Sequence, residues 1–170
     1  MATDMPGVSL ALSLHAPTQE LRKQIVPSAR AYPLPKLLQA VQDYQEVTQQ
    51  RVFVEYVMLS GVNDGLEQAH ELGQLLQGRD VVLNLIPWNP VYSPDGPAFK
   101  APIEGQVAAF QGIVRGQYGV HCTVRQEKGQ DISGGSTAWI FHMQEMTLLL
   151  DLWSWGALSL VDVRVLSCGP

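Results

Sequence analysis

Hydroxyl, imidazole and carboxamide groups stand at the ends of two apolar runs in this 170-residue chain. The first run, Leu10-Ala-Leu-Ser-Leu-His-Ala-Pro17, closes on Ser13, Leu14 and His15. The second, Asn84-Leu-Ile-Pro-Trp-Asn-Pro90, closes on Trp88 and Asn89. Ser13 and His15 are two positions apart, so along a strand they project to one face. The Asn89 carboxamide donates and accepts at once, and Trp88 beside it offers a flat apolar wall. Such a set holds a polar small molecule by orientation. Each residue also has a plainer role: His15 as a hydrogen-bonded core histidine, Asn89 as a turn former before Pro90, Trp88 as core. What favours a site is position, because α/β sheets bind ligands beyond the carboxyl ends of their strands.

The elements that would carry these groups are legible in the hydropathy pattern. Val8 to Leu14 is apolar apart from two serines, as in a strand covered on both faces. Thr18 caps a short helix through Ile25. Behind Pro33 and Pro35, Leu34, Leu37, Leu38, Val41, Tyr44 and Val47 recur at helical spacing. Val52 to Met58 is β-branched and aromatic and stops at the turn chemistry of residues 60–65. Leu66, Ala69, Leu72, Leu75 and Leu76 form another helical stripe ended by Gly78, and Val81 to Ile86 a third strand. Residues 87–102 carry five prolines and read as a long functional loop. Ile103, Val107, Phe110 and Val114 mark a further helix, and Val120 to Val124 a fourth strand. Strands alternating with helices of this length require right-handed parallel crossovers, so the fold class is α/β, with the order βαβαβαβ.

The 46% hydrophobic composition suits one globular core, and a formal charge of −5 does not describe a domain held to nucleic acid by phosphate neutralisation alone. Arg22, Lys23, Arg30 and Lys36 form the densest basic stretch, read as solvated helix faces and turns. Cys122 and Cys168 have neither metal-ligand spacing nor a disulfide framework, which suits a reducing compartment. Cys122 falls inside a strand, where a thiol serves as a small apolar residue. The N-terminus has no secretory-signal order. The apolar stretch 146–161 is interrupted and flanked by charge, which argues against a membrane span.

Among the remaining polar residues, the Asn63-Asp64-Gly65 turn reads as structural. Glu55, inside a strand, either faces a polar barrel interior or pairs with a cation. Arg125, Glu127, Lys128 and Asp131 follow the fourth strand as surface charge. No Walker loop, no Gly-x-Gly-x-x-Gly after a strand and no His-Glu-x-x-His occurs. The residues by themselves give an α/β ligand-binding domain.

A series of segments carries a resemblance further. The Ser13-Leu14-His15 run is followed by Glu20-Leu-Arg22, Ile25-Val-Pro27, Glu55-Tyr-Val-Met-Leu59, Gly61-Val-Asn-Asp64, the run through Asn89, Thr123-Val-Arg125 and Gly129-Gln-Asp-Ile132. In order and spacing, from about residue 6 to 132, the series resembles the radical S-adenosylmethionine RNA methyltransferases of the RlmN and Cfr type. The resemblance implies an incomplete parallel (β/α) barrel over residues 1–132. It implies S-adenosylmethionine and a [4Fe-4S] cluster as cofactors, and methylation of adenine C2 in ribosomal and transfer RNA. It also implies S-adenosylmethionine contacts at Ser13, Leu14, His15 and Asn89.

The chain departs from that pattern. The family's Cys-x-x-x-Cys-x-x-Cys triad, its Gly-Glu cofactor motif and its general-base glutamate lie upstream of the matched region and have no counterpart in this sequence. Ser136 stands where the family's methyl-carrying cysteine would align, and serine cannot form the sulfur-bridged intermediate. Cys168 lies in an unrelated context. Residues 133–170 are expected to be an atypical, non-family tail, disordered or the product of a misjoined gene. The expectation is thus an enzyme fragment, inactive alone, with no catalytic or metal-ligating residue of its own, cytoplasmic or organellar, monomeric and not membrane-bound. The alternatives are a half-barrel module binding S-adenosylmethionine or RNA without catalysis, and a barrel piece binding a phosphorylated metabolite.

Overall fold

A computed structural model describes residues 8–89, 99–125 and 163–167. Four strands, β1 (Val8–Ser13), β2 (Val52–Met58), β3 (Val81–Pro87) and β4 (His121–Val124), pair in parallel in the order β4-β3-β2-β1. The crossovers are α1 (Gln19–Ile25) and α2 (Leu34–Thr48) after β1, α3 (Leu66–Leu76) after β2 and α4 (Glu104–Tyr118) after β3. A 3-10 turn, Pro27–Arg30, joins the first two helices. The expected βαβαβαβ order is therefore present. An edge strand that the sequence pattern does not announce, β5 (Val163–Ser167), pairs antiparallel with β1. The remainder of 133–170, including Ser136, Cys168 and the 146–161 stretch, lies outside the described residues.

Local signals account for the boundaries. Thr18 caps α1, its hydroxyl accepting the Leu21 N–H at 3.4 Å. Pro33 and Pro35 bracket the first residue of α2, where a missing N–H costs nothing. Gly78 and Gly119 both adopt positive φ, +76° and +67°, a conformation glycine takes without a Cβ penalty.

The helices cover one sheet face. Leu10, Leu12, Val54, Tyr56, Leu83, Leu85 and Cys122 point into a core shared with Leu38 and Val41 of α2, Leu72 and Leu76 of α3, and Phe110 and Val114 of α4. Tyr56 and Phe110 meet at 5.6 Å between ring centroids. Three stripe residues stay outside: Val47, Leu66 and Ile103 lie at helix ends and are exposed. Because side chains alternate along a strand, the intervening residues occupy the opposite face, where one polar row lies between apolar neighbours such as Ala11, Phe53, Val57 and Val82. Ser13, Glu55, Asn84 and Thr123 align across all four parallel strands in one register row. A polar row beside a hydrocarbon layer is what a barrel wall presents to its interior.

Candidate functional site

The predicted site residues sit at one edge of the sheet. Ser13 ends β1; Asn89 lies two residues past β3; β2 runs between them. Parallel strands all present their carboxyl ends on the same side, so Ser13, His15 and Asn89 share that edge with the ends of β2 and β4. At roughly 4.8 Å per strand, β1 and β3 are about 10 Å apart, the width of a nucleoside rather than of an ion.

The β1 end is held by backbone bonds and by buried side chains together. Leu14 is fully buried in the core; its N–H donates to the Glu55 carbonyl at 3.0 Å and its carbonyl accepts from Arg22 Nε at 3.2 Å. Its side chain therefore serves the core, and any ligand contact at this position would be through main-chain atoms. His15 leaves the strand: its φ of +58° is left-handed, so the alternation expected to set it beside Ser13 does not apply. Its Nδ1 accepts the Val57 N–H at 3.1 Å, which places the proton of the neutral ring on Nε2. The ring thus closes the gap between β1 and β2 and is 3% exposed. Ser13 and Asn89 are half-buried.

Two residues fix this geometry. Arg22, read from sequence as part of a solvated basic stretch, is completely buried. Its guanidinium donates to the carbonyls of Leu14 (3.2 Å), Tyr32 (3.2 Å) and Ser13 (3.4 Å). The positive group on α1 thereby holds the peptide units through which the Ser13–His15 segment leaves the sheet. Asn63, also fully buried, accepts the Leu59 N–H at 2.6 Å and donates to the carbonyls of His15 (2.8 Å) and Val57 (2.7 Å). Tyr56 Oη donates to the Asn63 carbonyl at 2.8 Å. Burial pushes the Tyr56 phenol well above its usual range, with the Glu71 and Asp64 carboxylates adding to the rise, so it remains a donor. The structural role expected for the 63–65 turn is thus specific: Asn63 staples the ends of β1 and β2.

On the β3 side, the Trp88 N–H donates to the Met58 carbonyl at 3.0 Å, carrying the β2–β3 ladder to the rim. The Trp88 ring meets Phe99 edge-on at 5.8 Å, and the Ser60 N–H donates to the Lys100 carbonyl at 2.9 Å. Both ends of the proline-rich segment therefore return to the edge that carries Ser13 and Asn89. Residues 90–98 lie outside the described residues. One step into the sheet, Thr123 Oγ1 donates to Asn84 Oδ1 at 2.6 Å, directing the Asn84 amide NH₂ away from Thr123.

Cys122 is on the other face. It is buried, and desolvation pushes its thiol up to about 12 despite the opposing Arg115 charge. In a C168S background the native chain is therefore expected to resist thiol reagents at pH 8 and to react once urea unfolds it; reaction at the model-thiol rate in buffer would show Cys122 to be exposed. Among the described residues no group of three or more His, Cys, Asp or Glu side chains could hold a metal ion. No helix of the described residues is long and apolar enough to cross a membrane.

No protein-family model matches the chain. Individual relatives do. The chain is 46% identical over 125 residues to the probable dual-specificity RNA methyltransferase RlmN of Symbiobacterium thermophilum, covering 74% of this chain and 33% of that protein. It is 45% identical over 133 residues to the ribosomal RNA large subunit methyltransferase N of Nitrosopumilus maritimus, covering 78% and 36% respectively. Among solved structures, a radical SAM methyltransferase from Sphaerobacter thermophilus matches with a TM-score of 0.70 and 43% identity, covering 76% of this chain and 37% of that one. The chain thus spans about a third of the length of the relatives it matches. Over about three quarters of its residues the chain is thus similar, in sequence and in fold, to roughly a third of an RlmN-type radical S-adenosylmethionine methyltransferase.

Proposed function

We propose that this chain supplies the S-adenosylmethionine-binding edge of a methyltransferase that acts on adenine C2 of ribosomal and transfer RNA. The observation that carries the reading is the shared carboxyl edge: a hydroxyl at Ser13, an imidazole at His15 and a carboxamide at Asn89, on two strand ends about a nucleoside's width apart. Ser13 and Asn89 would hydrogen-bond the nucleoside, the Leu14 backbone would line it, and the His15 Nε2–H would be its donor.

The family's cofactors fit the described residues unequally. The polar row and rim suit S-adenosylmethionine, which when bound supplies the methyl group and the precursor of the radical. They do not suit an iron–sulfur cluster, which needs several cysteine thiolates; Cys122 is buried on the core face with a thiol kept protonated. What these residues contribute is binding and orientation: the chain alone binds the nucleoside and does not turn it over. The methyltransferase of which it is a part would act on RNA as a monomer, in the cytoplasm or an organelle.

Calorimetry of the purified chain with S-adenosylmethionine tests this. One saturable site is expected, and Ser13→Ala should weaken it about two- to tenfold, the loss of one net hydrogen bond. An absence of binding, or binding that Ser13→Ala leaves untouched, would remove the reading.

A further inference from the structure

Glu55 stands in the middle of the polar row, the direct register neighbour of Ser13 on one side and of Asn84 on the other. It is 8% exposed. Among the described residues, its carboxylate takes part in no hydrogen bond and no ion pair, whereas the other buried polar residues His15, Arg22, Asn63 and Asp64 are all bonded. No fully buried side-chain oxygen of the described residues lacks a partner, so the Glu55 oxygens keep some contact with solvent. Along its strand it is flanked on the same face by Phe53 and Val57, which solvate charge poorly. Removing a carboxylate from water is expensive unless a counter-charge or a set of donors meets it. Among the described residues none is built in on its own face.

We infer that Glu55 is a specificity residue: its carboxylate meets the positive charge of the bound nucleoside, so that the site prefers the sulfonium S-adenosylmethionine to the uncharged thioether S-adenosylhomocysteine. This rests on the reading of the rim as an S-adenosylmethionine site and adds to it a reason for discriminating substrate from spent product. Both molecules present the same adenosine and the same amino-acid ends, so hydrogen bonds from Ser13, His15 and Asn89 cannot tell them apart. A sulfonium offers no hydrogen bond, and a nearby negative charge reads it directly. Glu55 supplies one at the level of Ser13, beside the carboxamide of Asn84, whose oxygen is already taken by Thr123. At about 6 Å and an effective dielectric of about 20, such a pair is worth on the order of a hundredfold in affinity, reduced to about tenfold where solvent still reaches the group.

The test compares the two nucleosides by calorimetry on the full chain and on Glu55→Gln, which keeps shape and removes charge. Wild type should bind S-adenosylmethionine about tenfold more tightly than S-adenosylhomocysteine, and Glu55→Gln should abolish that ratio while leaving the S-adenosylhomocysteine affinity within about twofold. The ligand-free variant should unfold in urea at a midpoint no lower than wild type, because an unpaired charge has been removed. A ratio unmoved by Glu55→Gln, an equal loss for both nucleosides, or a lowered midpoint would each overturn the role of Glu55 while the rim reading stands. If wild type binds neither nucleoside, it is the rim reading that fails, and this inference falls with it.

Discussion

Replacing Arg22 by alanine should lower the stability of the chain by on the order of 3 kcal/mol, seen as a urea midpoint about 1 to 2 M below wild type. The guanidinium is completely buried and donates to three backbone carbonyls, those of Ser13, Leu14 and Tyr32. Alanine removes the donors but not the acceptors, so carbonyl groups in the interior are left unsatisfied beside a void the size of a long side chain. Hydrogen bonds from a charged donor are also the stronger kind. Arg22→Lys should recover only part of the loss, since a single ammonium cannot span acceptors on two segments as the planar fork does. The same substitution should weaken S-adenosylmethionine binding beyond the stability effect, because the carbonyls released belong to the segment carrying His15. A midpoint for Arg22→Ala within error of wild type would mean that the guanidinium is not buried against these carbonyls.

Asn63→Ala should cost about 2 to 3 kcal/mol through a different route. Its carboxamide uses the oxygen for the Leu59 N–H and the nitrogen for the carbonyls of His15 and Val57. No other side chain of similar size both donates and accepts in this arrangement. Asn63→Asp is the sharper probe: the carboxylate can still accept from Leu59, but it sets negative oxygen against two carbonyl oxygens, so it should be at least as damaging as alanine. Hydrogen exchange at the Leu59 amide should accelerate in the alanine variant and stay slow in the aspartate variant if that remains folded. Equal, unchanged protection in both would show that the strand ends are held by something other than this side chain.

The parts of the fold that were legible in sequence share one property: they follow from short-range pattern. The α2 stripe of Leu34, Leu38 and Val41 and the α4 stripe of Val107, Phe110 and Val114 are buried as spaced, and Thr18 caps the helix it precedes. The strand ends were legible because polar groups interrupt apolar runs there. What sequence did not disclose depends on contacts between distant segments. Arg22 lies beside Lys23 and near Arg30, and adjacent charges on a short helix read as solvent-facing; only the fold shows carbonyls eight to ten residues away turned toward it. His15 was expected to share a face with Ser13, but its left-handed backbone breaks the alternation. Such a φ in a non-glycine residue has no reliable sequence signal.

In sequence Glu55 either faces a polar barrel interior or pairs with a cation, and a count of alternate positions across the strands joins it to Asn84 and favours the first. Leu12, Val54, Leu83 and Cys122 form one apolar row, and the next row is Ser13, Glu55, Asn84 and Thr123. That count needs the register between strands, which spacing alone does not fix. The edge strand β5 was illegible for a similar reason: Val163–Ser167 is too short to stand out from the apolar stretch before it.

That the ends of β1 and β3 hold one nucleoside between them is tested most directly by titrating the isotopically labelled chain with S-adenosylmethionine and following individual backbone amides. The Ser13, His15 and Asn89 resonances should shift together along a single saturation curve, with those of the core-facing Leu12 and Leu83 little changed. Shifts confined to one strand end, or curves that saturate at different concentrations for His15 and Asn89, would contradict a shared site.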